Sequence, residues 1–161
     1  MLTRLLLVLC AVLCVGGAPG DRYDRRYAED ILTALVCAEC SVCADPAERQ
    51  AVAASVIHRA GSRHPRRLER VILAPGQYAD IEHCRDSPRA RKRMLPAVRA
   101  ALRGADPAEG ATSFHARWTC SLRPRACHHR ELGVCEDTVW PQLQEVEVPD
   151  WFQHRFYRRD R

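Results

Sequence analysis

The sequence predicts a predominantly helical α+β fold, a single domain with a short sheet and a cysteine-rich loop. Three observations predict it. Segments with helical apolar spacing and strong caps fill the first two thirds of the chain. Two short stretches, Ala111 to His115 and Val146 to Val148, read as extended. Cys120, Cys127 and Cys135 crowd an irregular stretch from Arg117 to Thr138, which reads as a stapled loop.

Before the domain comes a leader. Met1 and Arg4 make a short charged start, Leu5 to Val15 is an apolar run, and Gly16, Gly17 and Ala18 are small. That run is too short to span a bilayer comfortably, and small residues suit a cleavage site. Residues 1–20 are thus expected to be a secretory signal peptide and residues 21–161 the functional domain, exported without a stable membrane anchor. The destination is the cell exterior, or the periplasm and envelope.

The first helix is expected from about Tyr27 to Cys43. Asp45-Pro46 opens the next, with Asp45 as N-cap, Pro46 at the first helical position and Glu48 completing a capping box. This helix carries Val52, Val56 and Ile57 and ends at Gly61, while Ala51, Ala53 and Ala54 suit close helix packing. Leu68, Val71, Ile72 and Leu73 form a short apolar turn or helix, broken at Pro75-Gly76. Ser87-Pro88 starts a further helix that Gly104 ends, and Pro96 inside it is expected to kink or split it. Trp151, Phe152, Phe156 and Tyr157 anchor the C-terminus.

Of the nine cysteines, Cys10 and Cys14 leave with the leader. Cys37, Cys40, Cys43, Cys84, Cys120, Cys127 and Cys135 remain, an odd number that allows at most three bridges. Export makes disulfides the first expectation, with connectivity left open. A zinc protein is the alternative, because Cys37, Cys40, His83, Cys84, Cys127, His128, His129 and Cys135 include Cys-x-x-Cys spacing and His/Cys neighbours. No metal or cofactor is expected on balance.

The formal charge of +5 comes from 25 basic and 20 acidic residues, and Lys92 is the single lysine. Such a surface attracts anionic polymers. An arginine-rich solvated face accounts for it equally well. No nucleic-acid motif accompanies the charge, so no nucleic acid partner is expected.

One residue breaks the helical pattern. Glu39 lies three, four and seven positions beyond Val36, Leu35 and Leu32, on the apolar stripe. A carboxylate facing a core loses solvent, which disfavours its charged form. A carboxylic acid kept protonated near neutral pH can protonate a leaving group. The other reading is a structural glutamate paired with an arginine.

Several pieces then fall in a known order. Leu35-Val36-Cys37-Ala38-Glu39, Glu48-Arg49-Gln50-Ala51-Val52-Ala53-Ala54 and Val56-Ile57-His58-Arg59 resemble the first half of the SleB-type cell wall hydrolases, the family of the spore cortex-lytic enzymes. Gly76-Gln77-Tyr78 resembles its Gln-Phe element, Ala97 to Gly104 its Ala-rich helix, Ala111-Thr112-Ser113-Phe114-His115 its Ala-Thr-x-Tyr-His strand, and His154-Arg155-Phe156-Tyr157 its closing His-x-Phe-Tyr. The resemblance runs from about Ile31 to Tyr157. It implies a lysozyme-like fold and cleavage of peptidoglycan glycan strands between N-acetylmuramic acid and N-acetylglucosamine, by a muramidase or a lytic transglycosylase. It also implies that Glu39 is the catalytic acid. Gln77 and Tyr78 come forward as sugar-cleft residues and His115 as a group that binds sugar hydroxyls or orients Glu39, with a packing role open for Tyr78 and that of a core histidine open for His115. His154 reads as structural.

Ordinary glycosidases need two carboxylates about 5 Å apart or more. A lytic transglycosylase can use one, and if a second is needed Asp80 is the candidate. The chain departs from the pattern in four places, one of them the stretch from Cys120 to Cys135, which has no counterpart in the family. Cys43 stands where the family often has a second Glu, two extra residues separate Glu39 from Gln50, and His58 replaces Asn. Cys40 and Cys43 flank Glu39, where a bridge would fix its turn. These departures keep a second expectation open, a catalytically inactive wall-binding module of the same fold. Either version is expected to be a monomer acting on peptidoglycan.

Overall fold

The structure is a computed structural model that describes residues 19–116 and 143–159. Five helices and three strands follow in order: α1 (Pro19–Glu39), α2 (Pro46–Ala60), α3 (Pro65–Ile72), α4 (Glu82–Arg85), α5 (Pro88–Leu102), β1 (Ser113–Ala116), β2 (Leu143–Val146) and β3 (His154–Arg159). The leader and the cysteine-rich stretch holding Cys120, Cys127 and Cys135 lie outside the described residues.

Helix α1 is the central element, with α3, α4 and α5 all packed along it. It buries Ile31, Leu32, Leu35 and Val36, which meet Val52, Val56, Leu68, Met94 and Val98 from α2, α3 and α5. This is the predicted stripe, one buried row at helical spacing. Helix α2 lies against α5, and its small residues Ala51, Ala53 and Ala54 are all buried.

Local chemistry sets most boundaries. The Asp45 side chain accepts the Ala47 N–H at 2.7 Å, and Pro46 follows at the first helical position. The other half of the expected capping box does not form. Glu48 turns inward to a buried histidine instead, because that partner offers two donors where the cap offers one. Gly61 takes the left-handed conformation at φ 59° and closes α2, donating to the His58 carbonyl at 3.0 Å. Ser87 caps α5 through the Ala90 N–H at 3.2 Å.

Two boundaries differ from expectation. Helix α1 stops at Glu39 instead of Cys43, because the chain turns sharply through a Cys40–Cys43 disulfide. Helix α5 runs unsplit from Pro88 to Leu102, with Pro96 on its exposed side. A second disulfide, Cys37–Cys84, ties the end of α1 to the short helix α4.

The sheet is antiparallel in the order β1-β3-β2. The C-terminal aromatic segment is therefore its central strand, pairing Phe114 with Phe156 on one side and Val146 with Phe156 on the other. Phe152 and Phe156 are buried and fasten the sheet to the helical core. β1 also packs on α2, which brings the sheet to the end of α1 where Glu39 lies. Among the described residues, no helix is long and apolar enough to cross a membrane.

Candidate active site

A cleft of about 650 Å³ opens where α1 ends. Its walls are Glu39 and the Ser41-Val42 turn, the Gly76 to Ala79 loop, Arg59 from α2, and Ser113, Phe114, His115 and His154 from the sheet. Clefts of this size hold several sugar-sized groups. Four of the five site residues expected from the sequence meet here: Glu39, Gln77, Tyr78 and His115.

Asp80 does not. It is exposed, and its carboxylate accepts the Glu82 N–H at 3.0 Å at the start of α4. Glu39 is consequently the single carboxylate lining the cleft among the described residues.

Glu39 is the last residue of α1, half-buried in the cleft wall and not turned into the core as its periodicity suggested. The helix stops there, so its side chain reaches over the edge of the core instead of under it. Its Oε1 accepts the Ala79 backbone N–H at 2.6 Å, which links the acid to the loop carrying Gln77 and Tyr78. On the other flank, the Arg49 guanidinium donates to the Cys43 and Ala44 carbonyls at 2.9 and 2.8 Å. Arg93 donates to the Ser41 and Cys43 carbonyls at 2.9 and 2.8 Å. Two arginines and one disulfide thus brace the turn beside Glu39.

Arg59 was not singled out in the sequence. Its guanidinium donates to Gln77 Oε1 and sits 5.9 Å from the centre of the Tyr78 ring. A cation over an aromatic face is attracted by the ring's quadrupole. Arg59 thereby holds both predicted sugar contacts in place. Burial raises the Tyr78 hydroxyl above its ordinary value, and Arg59 opposes that shift. Tyr78 also packs on Phe114, whose ring meets His154 edge-on with centres 5.5 Å apart.

His115 stacks on Tyr157 and shares a hydrogen bond with its hydroxyl at 2.9 Å. His154 is a buried part of the cleft wall. Its backbone N–H donates to Glu48 Oε1 at 2.9 Å, and its Nδ1 lies 2.8 Å from the same oxygen. The structural role expected for His154 matches this packing. Helical spacing hid Arg59, because nothing local says which way a helix-end arginine will turn.

Residues 45–157 match the cell wall hydrolase family. The chain belongs to that family. The matched residues include Gln77, Tyr78, His115 and His154 and begin six positions after Glu39. In structure the chain is similar to the catalytic domain of the Bacillus cereus SleB protein. The TM-score is 0.53 at 18% identity, over 81% of this chain and 90% of that one. Compared with curated proteins by sequence, the chain has no match. The helical SleB-type fold with its small three-stranded sheet is therefore the fold of this cell wall hydrolase.

Proposed function

We propose that this family member is an exported peptidoglycan hydrolase that cuts the glycan strand between N-acetylmuramic acid and N-acetylglucosamine, with Glu39 as the general acid. The observation that carries this is the placement of Glu39 at the mouth of a sugar-sized cleft, facing Gln77, Tyr78 and His115. Membership in the cell wall hydrolase family supplies the substrate class.

The chemistry follows from the geometry. Ala79 occupies one oxygen of Glu39, which leaves the other to carry a proton to the glycosidic oxygen. The bond between the muramoyl C1 and that oxygen then breaks, and the departing N-acetylglucosamine takes the proton as its 4-hydroxyl. With one carboxylate lining the cleft among the described residues, the second step favours a lytic transglycosylase. The muramoyl 6-hydroxyl attacks C1 as Glu39, now a base, removes its proton, closing a 1,6-anhydro ring. Gln77 binds an acetamido or hydroxyl group, Tyr78 stacks on a sugar face, and His115 binds a sugar hydroxyl. The leader at residues 1–20 carries the enzyme out to this substrate, where it works as a monomer.

A cell-wall gel tests the assignment. The wild-type protein is expected to leave a cleared band, and Glu39→Gln, still folded, to leave none. A cleared band from Glu39→Gln refutes Glu39 as the acid. Binding to purified sacculi without release of soluble muropeptides, by the wild type itself, establishes the non-catalytic module instead.

A further inference from the structure

On the buried side of the cleft wall four metal-binding side chains converge. The sulfurs of Cys40 and Cys43, a carboxylate oxygen of Glu48 and a ring nitrogen of His154 all lie within 4.8 Å of one another. Both cysteines are fully buried, and Glu48 and His154 are 1% and 2% exposed. The structure carries the two cysteines as a disulfide. We propose that the same four side chains form a closed zinc site when the chain folds with these cysteines reduced, so that bond and ion are alternative occupants of one cluster.

The geometry fits. Tetrahedral zinc holds sulfur at about 2.3 Å and nitrogen or oxygen at about 2.0–2.1 Å, which spaces neighbouring ligand atoms roughly 3.3–3.8 Å apart. Cys43 Sγ and His154 Nδ1 already stand 3.7 Å apart. His154 Nδ1 and Glu48 Oε1, at 2.8 Å, need to separate by about half an ångström as an ion replaces the proton between them. The Cys-x-x-Cys spacing is one that zinc sites use, and the cysteine Cα atoms are 5.0 Å apart.

The surroundings fit as well. Two thiolates, one carboxylate and a neutral imidazole around a divalent ion carry a net single negative charge. The guanidinium groups of Arg49 and Arg93 sit on the carbonyls of the turn that bears both cysteines, where positive charge favours thiolate. The His154 backbone N–H donates to Glu48 Oε1 and so orients that ligand oxygen. Four protein ligands leave no open position, so the ion's role is structural. It pins the end of α1, the start of α2 and the start of β3, which are the three pieces behind Glu39. This proposal does not depend on the role given to Glu39.

No electrons move on loading. Two thiols release their protons to solvent, the proton between His154 Nδ1 and Glu48 Oε1 is displaced so that the neutral ring carries its one proton on Nε2, and Glu48 enters as carboxylate. The bonded form arises when a small-molecule or protein disulfide accepts two electrons and two protons from the pair. Since both sulfurs are buried in the folded chain, the choice is made during folding.

Cobalt(II), a coloured substitute for zinc, tests the proposal. The full chain is refolded from denaturant with a phosphine reductant and cobalt(II). The expected result is one ion per chain with the visible bands of tetrahedral cobalt thiolate, displaced by zinc. Cys43→Ser should abolish the bands, and His154→Ala and Glu48→Gln should weaken binding at least tenfold. The Cys37→Ser/Cys84→Ser and Cys120→Ser/Cys127→Ser/Cys135→Ser variants should retain them. Absence of the bands in the reduced wild type overturns the proposal, as does their survival in Cys43→Ser. Should a variant fail to fold, X-ray absorption of the zinc-loaded wild type decides: two sulfurs with two lighter ligands supports the site, and any other count overturns it.

Discussion

Glu39 and Asp80 both border the Gly76 to Ala79 loop, one through a hydrogen bond across 40 residues and the other as the next residue in sequence, and they differ in consequence. One faces the cleft; the other faces solvent and accepts the Glu82 N–H at the start of α4. Replacing a general acid typically removes about 10²- to 10⁴-fold in rate. Turnover of labelled sacculi should therefore fall at least about 100-fold in Glu39→Gln and stay within about twofold in Asp80→Asn. An equal loss in both would return Asp80 to the site. The sequence displayed Glu39, Gln77, Tyr78 and His115 because each sits inside a short recognisable string. Arg59 and Phe114 lie in matched strings as well, but their roles were not legible because tertiary packing alone, α2 against β1, turns them toward the same cleft.

At the scale of elements, caps were legible and closures were not. Asp45-Pro46 and Ser87-Pro88 announced α2 and α5, since cap chemistry is local. The central strand was hidden because His154–Arg159 mixes aromatic and basic residues and becomes a strand only through partners on both edges. Asp45 also accepts the Trp151 ring N–H at 2.8 Å, so it joins α2 to the turn before β3. Asp45→Ala should lower unfolding stability by about 1 kcal/mol, with Asp45→Asn recovering most of it in a denaturant titration. The Cys37–Cys84 bridge closes a sequence separation of 47 residues. Loop-closure entropy assigns such a bridge about 4 kcal/mol, against about 2 kcal/mol for the three-residue Cys40–Cys43 separation. Cys37→Ser/Cys84→Ser should thus lower the denaturation midpoint more than Cys40→Ser/Cys43→Ser; the reverse order would show that the α1–α2 turn depends on its own bridge for more than entropy.

Over the whole molecule, α1 is held by charge as well as by its apolar stripe. Burial pushes the Glu29 carboxyl up, but the Arg99 hydrogen bond and charge, followed by those of Arg25, outweigh it and leave the group below its ordinary value. Arg99 approaches at 3.0 Å and Arg25 at 3.4 Å. A carboxyl whose folded value is depressed adds stability above its unfolded value, near 4.3, and that stability is lost as pH falls through the folded value. Thermal midpoints of wild type and Glu29→Gln should differ most at neutral pH and converge as pH drops below about 4. A constant gap across that range would mean that Glu29 contributes by packing alone. The overall helical layout was legible from periodicity, whereas the cleft needed the sheet to fold back onto α2, a contact between distant segments.

The most direct test of Glu39 as the proton donor in a sugar-binding cleft is mass spectrometry of the muropeptides released from purified sacculi. Wild type is expected to release fragments ending in 1,6-anhydro-muramic acid, and Glu39→Gln, folded to the same midpoint, to release none. Release of the same fragments by Glu39→Gln would contradict it.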